Sequence, residues 1–180
     1  MLFNQFEVTN EEYFLGIDQS ISNTGLTLLK KINDYEYKII ESRAVSTPTS
    51  LETEDRILRI KQSVYEMISD IDKNNLFISI EGLAYAPGNT NNRAMLFGLF
   101  FVLVTSFLEN EIKYKIIPPT TLKKIFTGSG KAKKPEMLEN THEIEQITLS
   151  ELTGIKIKAK KFEDIIDSFA LAKVTLQKLI

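Results

Sequence analysis

Apolar residues recur along this chain with two different periods, and the switches between them mark out its elements. Tyr13 to Asp18 (YFLGID) has the length and residue types of a buried strand and stops at a carboxylate. Gly25 to Lys31 and Tyr35 to Ser42 read as two more strands, linked by the polar stretch Gln19 to Thr24 and by Ile32 to Asp34 with its Asn-Asp pair. Links this short predict an antiparallel three-stranded meander. Thr47 to Leu51 breaks the pattern, and Ser50 is placed to cap a helix whose first turn holds Thr53 and Glu54. Ile57, Ile60, Val64, Met67, Ile68 and Ile71 then keep helical spacing. Leu76 to Ile80 is a fourth strand ending on Glu81, and Tyr114 to Ile117 a fifth, ended by Pro118-Pro119. A short helix over Thr120 to Phe126, one from Pro135 to about Ile147 and a last from Phe162 to Leu179 complete an α/β layout with a mixed sheet.

Between the fourth and fifth strands lies Ala94 to Leu108 (AMLFGLFFVLVTSFL), apolar almost throughout. These residues fall short of the roughly 20 that a membrane-spanning helix needs, and Gly98, Thr105 and Ser106 interrupt them. A helix apolar on nearly every side has to be covered by its own domain on one face and by something else on the other. A homodimer seam is the simplest second cover.

At 180 residues with 43% hydrophobic and 26% charged side chains, and with no repeat or linker, the chain reads as one domain, 1–180, with residues 1–12 as an N-terminal extension. It has no cysteine, which removes disulfides, thiolate zinc sites and cysteine nucleophiles. His142 is the only histidine and lies in a glutamate-rich stretch, where it reads as a surface helix residue. Oxygen-ligated hard cations remain as the metals to consider. Met1 to Asn10 shows no basic region followed by an apolar core and cleavage site, so a cytoplasmic protein is expected. The net charge of -2 argues against a uniformly basic nucleic-acid coat. That average conceals a division: residues 1–81 hold 14 acids and 8 bases, and 82–180 hold 10 acids and 14 bases.

Asp18 and Glu81 each close an apolar strand, and neighbouring strands would bring them to one sheet edge, where ligands of open α/β sheets bind. Asp164 and Asp167, three apart on the last helix, share a face. Singly, an Asp after a strand is an ordinary turn residue, and acids near a helix start ordinarily complement the macrodipole. Converging, the four would repel one another until divalent cations neutralised them. Seven lysines lie between Lys113 and Lys134 with no acid among them, and four more follow at Lys156, Lys158, Lys160 and Lys161. Any one of these is most simply a solvated surface residue, but two acid-free clusters suit a phosphate backbone. Gly128 to Lys131 (GSGK) lacks the full phosphate-loop pattern because Ala132 follows the lysine, so no nucleotide cofactor is expected.

These segments carry a family resemblance. FLGIDQSISNTGLTLL (Phe14 to Leu29) resembles the first strand and turn of the RuvC Holliday-junction resolvases, ISIEG (Ile78 to Gly82) their second acidic motif, LKKIFTGSGKAKK (Leu122 to Lys134) their lysine segment, and EDIIDSFALA (Glu163 to Ala172) their closing helix. Order and spacing hold over nearly the whole chain beyond its first dozen residues. The lysine-, isoleucine- and asparagine-rich version looks like a bacteriophage or low-GC bacterial member. Two departures stand out: Gln19-Ser20 replaces the usual Pro-Gly, and Ala84 stands where an aromatic is usual, with Tyr85 next to it.

The resemblance implies an RNase H-like fold, with three antiparallel strands then two parallel ones in a five-stranded mixed sheet flanked by helices. It implies a homodimeric, metal-dependent crossover junction endonuclease that nicks four-way DNA symmetrically, leaving 5′-phosphate and 3′-hydroxyl ends. Asp18, Glu81, Asp164 and Asp167 would bind one or two Mg²⁺, with Mn²⁺ able to substitute. Lys134 would act in catalysis, and Lys123, Lys124, Lys131, Lys133, Lys134 and Tyr85 would contact DNA. Competing readings are a junction binder that does not cut, an RNase H-like nuclease for RNA hybrids or other branched DNA, and an actin-like ATPase. The ATPase shares the first motif but normally needs two such domains.

Overall fold

A computed structural model describes residues 11–83 and 90–177. Tyr85, Ala84, most of the N-terminal extension and Leu179 lie outside the described residues. Five strands form one sheet: β1 (Tyr13–Asp18), β2 (Asn23–Lys31), β3 (Tyr37–Ser46), β4 (Leu76–Glu81) and β5 (Lys113–Ile117). Their order is β3-β2-β1-β4-β5, with β1–β2 and β2–β3 antiparallel and β1–β4 and β4–β5 parallel, as expected. The third strand starts later than its apolar pattern suggests, because Asn33 Oδ1 accepts the backbone N–H groups of Tyr35 (2.8 Å) and Glu36 (2.9 Å) and keeps that stretch in a turn. It runs on to Ser46, paired with Asn23.

Alternation along the strands divides the core. Leu15 and Ile17 of β1 and Ile78 and Ile80 of β4 face α1 (Thr53–Ile68) and α2 (Thr90–Glu109), where they meet Ile60, Val64, Leu99, Leu103 and Phe107. Phe14 and Phe77 point to the other face, into a core built around α6 (Phe162–Leu176) with α3 (Pro119–Thr127), α4 (Lys134–Glu139) and α5 (Glu143–Thr153). Asp18 and Glu81 share the parity of Phe14 and Phe77, so the alternation aims both at the α6 side.

Two helix expectations need correction. Ser50 does not cap α1: the chain is still turning there, Leu51 N–H bonding Pro48 O at 3.2 Å, and extended Glu52 precedes the helix without a side-chain cap. The helix expected from Pro135 to about Ile147 is two. Thr141, buried with its hydroxyl on Met137 O, ends α4, and a fresh start follows in which Glu145 Oε2 accepts the His142 backbone N–H at 3.0 Å. His142 is therefore the residue before a helix, and it is exposed.

Helix α2 extends well past the apolar run. Its 18-residue window Asn92–Glu109, with mean hydropathy 1.4, passes for a membrane span by length and composition. In this fold Leu99, Leu103 and Phe107 of that window are sealed in the core, while Phe101 (56%) and Leu108 (60%) stand exposed.

Candidate active site

Helix α6 reaches the sheet so closely because two strand residues have no side chain. A β-carbon on Gly16 would lie 1.9 Å from Ser168 O, and one on Gly25 2.1 Å from Asp164 O. Buried hydroxyls fill the rest of the seam: Thr27 Oγ1 lies 2.8 Å from Ser168 Oγ and 3.0 Å from Ser42 Oγ. This packing carries Asp164 and Asp167 to the sheet edge where β1 and β4 end side by side. Ile17 pairs with Ile80, and Asp18 and Glu81 follow one residue later.

The β1–β2 turn is held by side-chain hydrogen bonds. Thr24 Oγ1 donates to Ser20 O at 2.6 Å and accepts from Ser20 N–H at 3.2 Å. Arg56, buried in α1, donates to Ile21 O (3.1 Å) and Thr47 Oγ1 (3.0 Å). Gln19, which replaces the usual proline of the first motif, is only 6% exposed, and its Nε2 donates to Glu81 O at 2.7 Å, clasping the ends of β1 and β4 together. Among the described residues its Oε1 is buried without a hydrogen-bond partner.

The carboxylates feel one another. Burial, then repulsion from Glu81, Asp167 and Asp164, holds the Asp18 carboxyl well above the usual carboxylate range, against the pull of Lys134. Burial, then Asp167, pushes Glu81 up to about 7, and burial pushes Asp167 up to about 6, with Lys123 and Lys134 opposing both shifts. Asp164 has close partners: Asn23 Nδ2 at 2.6 Å on Oδ2 and Lys134 Nζ at 3.1 Å on Oδ1. Lys134 also reaches Glu163 Oε2 at 3.3 Å. Burial lowers the Lys134 pKa, but the bond to Asp164 and the surrounding carboxylates outweigh it and the net shift is upward.

All four predicted carboxylates thus enter one electrostatic cluster, joined by Lys123 and Lys134. Among the described residues no three acidic or histidine groups stand close enough to hold a metal ion as they are placed. The donor chemistry nevertheless fits a hard divalent cation: every charged donor is a carboxylate oxygen, two carboxyl groups are driven to about 6 and 7 by burial and uncompensated charge, and a buried amide oxygen of the residue after Asp18 is unpartnered. Lys124, on α3, and Lys131 and Lys133, on the loop that turns at left-handed Gly128, are all exposed. That loop follows a helix rather than a strand, unlike a phosphate loop.

Asn23, Gln19 and Arg56 were missed as site residues. Each is a polar residue in a turn, at a strand start or on a helix, and only its partner, distant in sequence, reveals its role.

The profile of the family described as crossover junction endodeoxyribonuclease RuvC matches residues 14–174. The protein of that name from Corynebacterium efficiens is 26% identical over 158 residues, 88% of this chain and 66% of the relative, so the match spans just under two thirds of that protein. That from Caldicellulosiruptor saccharolyticus is 25% identical over 158 residues, 88% of each chain. Among solved structures, Thermus thermophilus RuvC in complex with Holliday junction substrate superposes with a TM-score of 0.63 at 16% identity, over 89% of this chain and 90% of that one. At that identity the likeness establishes the fold.

Proposed function

This chain belongs to the RuvC family of crossover junction endodeoxyribonucleases, and we propose that it cuts four-way DNA junctions as a homodimer with Mg²⁺, leaving 5′-phosphate and 3′-hydroxyl ends. The observation that carries this reading is the meeting of Asp18, Glu81, Asp164 and Asp167, from three separate segments, in one mutually repelling cluster beside Lys123 and Lys134. Proteins use such arrangements where bound cations and phosphate supply the missing charge.

Asp18, Glu81, Asp164 and Asp167 would hold one or two Mg²⁺, with Mn²⁺ as a substitute. Bound there, the metal supplies an acidified water and charge neutralisation at the phosphate. The chain's own residues do the rest. Lys134, now paired with Asp164 and Glu163, would move onto the scissile phosphate, where its charge would oppose the developing negative charge. Lys123 balances Glu81 and Asp167. Lys124, Lys131 and Lys133 hold the flanking backbone as surface cations. Gln19 keeps Asp18 and Glu81 in register by its bond to the Glu81 carbonyl.

The exposed Phe101 and Leu108 of α2, backed by a sealed core on its other face, support pairing with a second copy through this helix. Two-fold pairing would present two such sites to opposite strands of a junction. A protein working on DNA in a bacterial cell belongs in the cytoplasm. The pairing of Lys134 with Asp164 also suits a protein that binds junctions without cutting them, and one experiment separates the two. Cleavage is followed on synthetic four-way, three-way and linear DNA with Mg²⁺ and with EDTA. Paired nicks on the four-way substrate in Mg²⁺ alone are expected; binding with no metal-dependent cleavage overturns the nuclease reading.

A further inference from the structure

We propose that Asn23 is a positioning residue that fixes the Asp164 carboxylate through its Oδ2 and leaves Oδ1 to face the incoming cation. This rests on the reading of Asp164 as a metal-binding carboxylate. Asn23 opens β2, is 9% exposed, and pairs in register with Ser46 at the end of β3.

The hydrogen bonds through it run in a single direction. Lys161 has only donors, so its Nζ, 3.1 Å away, fills a lone pair of Ser46 Oγ. Ser46 spends its one proton on Asn23 Oδ1 at 2.9 Å. With its carbonyl engaged, the Asn23 amide presents Nδ2 to Asp164 Oδ2 at 2.6 Å. A lysine at one end and a carboxylate at the other forbid the reverse polarity. The relay begins at Lys161, the residue before α6, and returns to Asp164 in its first turn, so it ties the start of that helix to the edge of β2 and β3.

The chemistry explains why an amide stands here. A neutral donor holds an ionised carboxylate firmly without adding a charge that would compete with a cation. Oδ1 is then the oxygen contested by Lys134 at 3.1 Å. Partners behind a metal-binding carboxylate commonly contribute about 10- to 100-fold in metal affinity.

The test is Mn²⁺ titration by calorimetry, alongside metal-free thermal melting, for the unaltered protein and the variants Asn23→Leu, Ser46→Ala and Asp164→Asn. Asn23→Leu keeps the branched outline of the side chain, with larger volume, and removes the donor; Ser46→Ala leaves Asn23 in place but releases its orientation. Asp164→Asn should abolish or gravely weaken binding, Asn23→Leu should weaken it about 10- to 100-fold, and Ser46→Ala should weaken it in the same direction with its metal-free melting little changed. Asn23→Leu and Ser46→Ala binding Mn²⁺ like the unaltered protein, while Asp164→Asn does not, would overturn the role of Asn23 and leave the metal site standing. Asp164→Asn binding normally would bring down both. Should Asn23→Leu fail to fold, Ser46→Ala decides alone: weaker binding supports the relay, and unchanged binding overturns it.

Discussion

Gly25 and the Asp164 carbonyl are in such close approach that a β-carbon on the strand would sit 2.1 Å from that oxygen. The clash would be with helix backbone, so the helix would have to move. Gly25→Ala should therefore cost about 1 to 3 kcal/mol of stability and carry Asp164 and Asp167 away from Asp18, reducing cleavage more than melting alone would suggest. Gly98, in α2, is the control: among the described residues its β-carbon would meet only Ile57 Cδ1, at 3.5 Å. Gly98→Ala should stabilise by about 0.5 to 1 kcal/mol, which denaturant titration would detect.

The raised carboxyl groups set the pH dependence of the metal-free protein. Glu81 stands at about 7 and Asp167 at about 6, against ordinary values of 4.5 and 3.8. Between those limits the folded state binds more protons than the unfolded one, so stability falls as pH rises. Unfolding midpoints should thus decline from pH 5 to pH 8 without metal, and Mg²⁺ should recover the loss at pH 8. Glu81→Gln should flatten the profile and raise metal-free stability while abolishing cleavage. A profile unchanged by this substitution would remove Glu81 from the cluster.

The lysines should separate into two kinds by assay. Lys134→Ala should lower the cleavage rate about 100-fold or more with little change in junction affinity at moderate salt. Lys131→Ala and Lys133→Ala should do the opposite, weakening binding and lowering the slope of log affinity against log salt by about 0.9 for each phosphate no longer neutralised. Filter binding over a salt series, with single-turnover cleavage at saturating protein, would distinguish them.

Helix α2 offers a test of assembly. Replacing Phe101 and Leu108 together with glutamate removes the exposed apolar stripe without touching Leu99, Leu103 or Phe107 in the core. The double variant should sediment as a monomer, melt near the unaltered temperature and lose paired nicking. An unaltered protein that is itself monomeric at micromolar concentration would refute the seam.

Strand positions were legible because burial and alternation leave a strong local signal: YFLGID became β1 with the bounds its apolar pattern marks, and LFISIE became β4. Boundaries set by polar turns were less so. Asn33 holds Tyr35 in a turn, Thr141 divides α4 from α5, and Ser50 is consumed in a turn ahead of α1. Each outcome depends on a side chain or backbone bond that competes with a favourable propensity. Tyr37 shows the same limit: its hydroxyl bonds Glu145, which also binds Lys173 at 2.8 Å, a partly buried trio from β3, α5 and α6 with no signature in any one segment.

Hydrophobic period was by itself enough to determine the α/β class and the succession of strands along the chain, and strand-end carboxylates and an acid-free run of lysines were enough to nominate residues for phosphate chemistry, because each is a local property of composition and spacing. Only the tertiary structure decided that Gly16 and Gly25 admit α6 against the sheet, that Gln19 clasps Glu81, and that Asn23, a neutral amide, holds Asp164 from the strand side. The bond from Asn23 to Asp164 joins atoms 141 positions apart in the chain, and whether two such groups meet is settled by packing, which no single stretch of sequence encodes.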